Sequence, residues 1–260
     1  MRDRQHIETL PFHTDSGLGG TARIGLIVLQ TDQTLEYETG ALMRGDGTAV
    51  YHARIPNETE VTPETLRQME LDLPAAASLL PGSFGFDAIG YGCTSGATMI
   101  GEDRVAAIIR QVHPNAKVSN PITACKAALT ALGLKRVALV TPYAPSVTIE
   151  MQKNLQAAGF EINAVASFDQ SDDFTVARIS SDSILDAVRT IGARADCDGV
   201  FVSCTSLRAL PIIATAEAEL GKPVLSSNQA LGWHLMRLAG LDGDRANAGR
   251  LFKTQLTQNR

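Results

Sequence analysis

The segments FDAIGYGCTSG (86–96) and CDGVFVSCTSL (197–207) share one local design. Each passes through an apolar run to a cysteine, and each cysteine is followed by Thr-Ser. A short apolar run ending in small polar residues reads as a buried parallel strand handing over to a helix. The likeness extends outward. RIGLIVL (23–29) matches RVALVTP (136–142), and KVSNPITACKAALTALG (117–133) matches KPVLSSNQALGWHLMRLAG (222–240). Cys93 pairs with Cys204, Ile24 with Val137 and Ser119 with Ser227. The partners are all about 110 residues apart, so the chain contains an internal repeat.

Alternating strands and helices fill each half. TAVYHARIP (48–56) and FEINAVASF (160–168) read as strands. TPETLRQMELDLPAAASLL (62–80) reads as a helix capped by Thr62, with Pro63 in its first turn and Pro74 expected to kink or split it. Further helices are expected from Ala97 to Val112, through VTIEMQKNLQAAG (147–159), over 181–194 and through ALPIIATAEAELG (209–221). Asn120 and Asn228 occupy matching turns and read as helix caps.

The predicted fold is therefore α/β, with two pseudo-symmetric lobes, each a parallel sheet flanked by helices. The first lobe is read as residues 1–119 and 226–260, with an N-terminal arm over 1–21, and the second as 120–225. Ligands of open parallel sheets bind beyond the carboxyl ends of the strands. Both Cys-Thr-Ser turns stand at such ends, which places the active site between the lobes.

Composition narrows the function classes. The 260 residues are 44% hydrophobic and 20% charged, with a formal net charge of −5. That gives a core of ordinary size and no basic surface for nucleic acid or an anionic membrane. No apolar run approaches the ~18 residues of a membrane span, and the start lacks the apolar region of a secretory signal. A cytoplasmic location is expected, with Cys93, Cys125, Cys197 and Cys204 as reduced thiols. Their spacing fits no zinc pattern, so no metal is expected. GLGG (17–20) and GDG (45–47) lack the strand–GxGxxG–helix setting of a dinucleotide site.

A cysteine at a strand-to-helix turn lies near unpaired N–H groups and the positive end of the helix dipole. Both are expected to lower its pKa from about 8.5 and favour the thiolate. The N–H groups of Thr94, Ser95, Thr205 and Ser206 are expected to cradle a carboxylate or enediolate oxygen. Cys125 reads as core and Cys197 as structural. His52 and His113 read as surface or strand residues, and His234 as packed on its helix face. Asp172 and Asp173 read as a solvated loop.

The motifs RIGLIVLQTDQTLEYE, GYGCTSGAT, VALVTPY, FVSCTSL and PVLSSNQALGWH together resemble the aspartate/glutamate racemase superfamily. Within it they are most similar to the branch of maleate cis–trans isomerases and arylmalonate decarboxylases. The resemblance runs from about residue 22 to 240, nearly the length of the repeat. It implies a cofactor-independent isomerase of a small carboxylic acid, with Cys93 and Cys204 as the catalytic pair. It also implies Tyr143, Thr94, Ser95 and Thr205 as substrate-binding residues, and a homo-oligomer, dimer or tetramer. The decarboxylases keep only the second cysteine, so Cys93 points to the isomerases. Asp32 stands where the isomerases carry an asparagine that contacts a substrate carboxylate. At that position Asp32 suits an ammonium or amide N–H better than a second carboxylate, and a turn or helix cap is its alternative reading. By the same resemblance Asp172 and Asp173 fall where the isomerases carry another polar amide, with a solvated loop as the alternative. Amino-acid-type racemisation, and the role of an ectoine-utilisation-type relative, are the alternatives inside the superfamily. A two-lobed solute-binding protein is the alternative outside it, and such a protein has no use for paired thiols.

Overall fold

Two sheets of four parallel strands, with the same strand order, carry the molecule. The computed structural model describes residues 7–45, 47–83 and 85–257. Residues 1–6 of the arm, Asp46 of the 45–47 loop, Phe84 and residues 258–260 lie outside the described residues. In the first sheet β1 (Ala22–Leu29), β2 (Thr48–Ile55), β3 (Ala88–Gly92) and β4 (Lys117–Ser119) lie in the order β2-β1-β3-β4. In the second, β5 (Arg136–Thr141), β6 (Glu161–Ser167), β7 (Gly199–Val202) and β8 (Val224–Ser226) lie in the order β6-β5-β7-β8. The repeat read from the sequence is thus a repeat of topology. In each sheet the first strand is flanked by the second and the third. The chain order reverses there, which opens a crevice at the carboxyl ends.

The strands form because their side chains are buried on both faces. All of β3, β7 and β8 are buried, as are six of the eight residues of β1 in an unbroken run from Ile24. Gly90 and Gly92 keep β3 thin. A Cβ at Gly92 would come within 2.3 Å of Leu35 Cδ2, and one at Gly90 within 2.8 Å of Leu235 Cδ1.

The helices are α1 (Leu35–Met43), α2 (Pro63–Ser78), α3 (Thr94–Ile100), α4 (Glu102–Val112), α5 (Pro121–Ala131), α6 (Pro145–Ala157), α7 (Asp173–Val176), α8 (Ser181–Gly192), α9 (Ile213–Leu220) and α10 (Ser227–Leu238). α10 follows the last strand of the second sheet yet packs on α1, α5, β3 and β4. It is buried over Ser227–Arg237, with Trp233 wholly enclosed.

Several expectations are corrected. α1 was not expected, because its sequence LEYETGALM has no strong apolar stripe. It is set by Asp32, whose Oδ1 accepts from the N–H groups of Thr34 at 2.8 Å and Leu35 at 2.7 Å. Pro74 does not split α2. It lies on the exposed side of that helix, which runs unbroken from Pro63 to Ser78. The helix expected over 97–112 begins at Thr94 and is broken at Gly101, whose φ of 99° suits glycine. Asn120 caps α5 by accepting from Thr123 N at 3.0 Å, but its counterpart Asn228 is not a cap. Ser226 holds that position, in a capping box with Gln229. His113 is buried, its Nε2 2.9 Å from the Ala77 carbonyl oxygen. His52 is exposed on β2. His234 is buried and stacked on Trp233, with Nδ1 2.7 Å from Ser119 Oγ.

Candidate active site

The carboxyl ends of β3 and β7 deliver Cys93 and Cys204 to one cavity between the sheets. Its empty volume is about 390 Å³, and it is also lined by Ser95, Tyr143, Asp173, Thr205 and Ser206. On the first sheet's side, Leu29, Leu66 and Met69 give it an apolar wall, and Asn57, Glu58 and Glu60 stand around it. The two lobes meet beside this cavity. Residues 59–61 meet 171–173 across the lobes, with Val61 N donating to Ser171 O at 2.9 Å and Asp173 N to Thr59 O at 3.1 Å.

Cys93 is the N-cap of α3. Its Sγ accepts from Gly96 N at 3.1 Å and lies 3.6 Å from Ser95 Oγ. Gly96 lets the helix start this close, since a Cβ there would come within 2.9 Å of the sulfur. Cys204 differs. No regular helix follows it directly, its Sγ accepts from Ser206 N at 3.4 Å, and its φ is 133°. That is a conformation L side chains rarely adopt, and it costs about 1–3 kcal/mol. Ser227, at the start of α10, holds the strained turn: its Oγ accepts from Cys204 N at 3.0 Å and lies 2.9 Å from Thr94 Oγ1. Thr205 Oγ1 reaches back across the lobes to Gly92 O at 3.4 Å.

The structure therefore brings together Cys93, Ser95, Tyr143, Cys204 and Thr205. Asp32 and Thr94 are buried behind this surface and do not line it. Thr94 is engaged with Ser227. The remaining carboxylate oxygen of Asp32, Oδ2, is buried without a hydrogen-bond partner. The Thr205 hydroxyl is close enough to favour the Asp32 carboxylate, although its measurable hydrogen bond goes to Gly92. Burial dominates and raises the Asp32 pKa.

The acidic pair Asp172 and Asp173 divides in the structure, and Asp173 departs from the solvated-loop reading. Asp172 is exposed and caps α7, accepting from Thr175 N at 2.8 Å, as a loop residue should. Asp173 is only 4% exposed. Its carboxylate accepts from Thr31 Oγ1 in the first lobe and from Ser206 Oγ at 3.1 Å. A partner 142 positions away leaves no local signal in the sequence.

The electrostatics reverse one expectation. The N–H of Gly96 and the hydroxyl of Ser95 do favour the Cys93 thiolate, but burial outweighs them and Asp173 and Asp32 oppose them. The Cys93 thiol is pushed up to about 12. Cys204 is raised too, by burial and then by Asp173, against the favourable hydroxyl of Tyr143. Tyr143 is itself held well above its usual value by burial. Both sulfurs are therefore thiols at neutral pH in this cavity. Cys125 and Cys197 are buried away from it, and all four cysteines are free.

The comparisons agree with this geometry. The model of the arylmalonate decarboxylase family matches residues 51–252. A maleate isomerase of Nocardia farcinica is 30% identical over 245 residues, covering 90% of this chain and 96% of that protein. Among solved structures, a cysteine-to-serine variant of the Nocardia farcinica maleate cis–trans isomerase, with a covalently bound succinylcysteine intermediate, superposes with a TM-score of 0.83. It is 28% identical and covers 89% of this chain and 98% of that one. A cysteine-to-alanine variant of the maleate isomerase of Pseudomonas putida S16, solved with maleate, gives the same TM-score at 25% identity, covering 89% and 97%. With its duplicated sheets, paired cysteine turns and a match over most of its length, the chain belongs to the arylmalonate decarboxylase family, alongside the maleate isomerases.

Proposed function

We propose that this chain isomerises a small carboxylic acid by means of Cys93 and Cys204. The observation that carries the reading is the meeting of both sulfurs in one cavity with the hydroxyls of Ser95 and Tyr143. One cysteine passes its thiol proton to a carboxylate of the substrate, which returns it at the end of the cycle, and as thiolate adds to the carbon β to a carboxylate in a C=C bond, while the π electrons move toward that carboxylate. The other thiol delivers a proton to the α-carbon. The bond, now single, rotates. The second sulfur then takes the α-proton back, the C=C bond re-forms, and the first sulfur leaves as thiolate. Atoms and charge balance, and no group is consumed. The succinylcysteine in the Nocardia farcinica structure supports such an adduct. Hydroxyls of Ser95 and Tyr143 donate to the oxygen on which charge develops.

Racemisation is the second reading, favoured by the arrival of the two sulfurs from different lobes. One removes an α-proton and the other returns one to the opposite face. In either reading Asp32 sets α1 behind the site, and Thr94 and Thr205 hold the cysteine turns. Residues 1–119 and 226–260 form the first lobe and 120–225 the second, an assignment supported by the packing of α10 on α1, β3 and β4. The exposed Ile7, Leu10, Phe12 and Leu18 of the N-terminal arm support a homo-oligomer, dimer or tetramer. Four free cysteines support a cytoplasmic location. Among the described residues no helix is long and apolar enough to cross a membrane.

The test is proton NMR in D2O over a panel of unsaturated and α-chiral acids, with Cys93→Ala and Cys204→Ala. Conversion that disappears in both variants supports the reading, and α-deuterium uptake needing both sulfurs assigns racemisation. Conversion surviving in both variants would remove the cysteine pair from the chemistry.

A further inference from the structure

The cavity is acidic. Among the described residues its charged lining consists of Asp173, Glu58 and Glu60, without Lys, Arg or His. Asp173 is buried, and its two hydroxyl donors, Thr31 and Ser206, hold it as an acceptor facing the cavity. Glu58 and Glu60 are exposed. Behind the wall, Asp32 Oδ2 is buried without a partner. A guanidinium on this side of the sheet, that of Arg54, is already committed. Its Nη1 donates to the carbonyls of Leu29, Gln30 and Asp32, and its Nη2 pairs with Glu36 at 2.9 Å.

The hydroxyls of Ser95 and Tyr143 supply donors for one carboxylate of a ligand. A second carboxylate meets the like charge of Asp173, Glu58 and Glu60, while the other side-chain donors on the lining are committed: Asn57 Nδ2 to Thr31 and Glu58 O, Thr65 Oγ1 to Glu60 O, Thr205 Oγ1 to Gly92 O and Ser206 Oγ to Asp173. A protonated nitrogen meets the groups it needs, as charge-assisted donor to Asp173 with the acidic residues beside it. We propose that the site takes a small zwitterion, a carboxylic acid carrying a protonated amine, in place of a dicarboxylate, and that Asp173 is the residue that selects it. This rests on the reading of the cavity as the cysteine isomerase site.

The experiment follows shielding of Cys93 and Cys204 from iodoacetamide by peptide mass spectrometry, with turnover by NMR in the same samples. The probes are maleate and a set of small α-amino acids. The proteins are the wild type, Asp173→Asn and, at an exposed position that leaves the fold unthreatened, Glu60→Gln. In the wild type, at least one amino acid shields both sulfurs at a concentration at least tenfold below any effect of maleate. Asp173→Asn reverses the order, gaining tenfold or more for maleate and losing as much for the amino acid. Glu60→Gln moves maleate in the same direction by two- to threefold, and salt narrows the gap. Maleate that shields or turns over in the wild type, with no gain in either variant, overturns the proposal and leaves the isomerase reading standing. Sulfurs shielded by neither class in any variant, with no turnover, overturn the isomerase reading itself and the proposal with it.

Discussion

The backbone N–H of Cys204 donates to the Ser227 hydroxyl at 3.0 Å, and the same hydroxyl lies 2.9 Å from Thr94 Oγ1. One side chain at the start of α10 thus ties together the turns that present both sulfurs. Ser227→Ala leaves the buried Cys204 N–H without its acceptor. The expected cost is about 1–3 kcal/mol of stability, measured by urea denaturation. Turnover should fall through kcat more than KM, because the change displaces sulfur and not the ligand-binding hydroxyls. A variant as stable and active as the wild type would refute the bridge.

The φ of 133° at Cys204 makes a separate prediction. Glycine usually destabilises relative to alanine by roughly 0.5–1 kcal/mol in regular structure. At this position the order should invert, with Cys204→Gly more stable than Cys204→Ala by about 1 kcal/mol or more. Both variants lose the sulfur and should be inactive. Thermal denaturation of the pair decides it, and alanine proving the more stable would show that the turn carries no strain.

Thiol reactivity should be slow. With the Cys93 pKa pushed up to about 12 and Cys204 raised as well, the thiolate fraction at pH 7 is small. Alkylation of either sulfur should run at least ~100-fold slower than that of a free cysteine and rise about tenfold per pH unit between pH 7 and 9. A rate that levels off near neutral pH would mean that the helix-end N–H groups outweigh burial after all.

Stability against pH should show two opposed contributions. Glu38 is buried, accepts from Leu210 N and Asn228 Nδ2, and is raised from 4.5 to about 7 by burial, despite those bonds. Its neutral form is favoured by folding, so its stabilisation is complete below pH 4.5 and lost as pH rises to about 7. Buried His234 is lowered from 6.5 to about 4, so its contribution is complete above pH 6.5 and lost as pH falls to about 4. Each is worth on the order of 3 kcal/mol over its window. Glu38→Gln removes the first and exposes the second. Stability of that variant should climb more steeply than wild type between pH 4.5 and 6.5, as read by chemical denaturation across the range. Parallel profiles would remove Glu38 from the linkage.

What the sequence revealed and what it hid divide along the range of the interactions. The paired sheets and the convergence of Cys93 and Cys204 follow from apolar strands, turn chemistry and a repeat, all of which are written locally. The hidden parts depend on distant partners. Asp173 resembles any loop aspartate until Thr31 and Ser206 close on it. The raised thiol pKa values arise from burial by both lobes, which no property of GYGCTSGAT alone could report. α1 was obscured because its own apolar stripe is weak and its face is covered by α10, from the far end of the chain.

The two halves repeat one topology, yet Cys93 sits at φ −142° at the head of a helix and Cys204 at φ 133° in a turn held by Ser227. Had the site been built from two identical half-length chains, its sulfurs would be interchangeable by symmetry. Joined in one polypeptide, the halves are free to diverge. The backbone difference at Cys204 makes the two sulfurs inequivalent, so each can be fitted to a separate task.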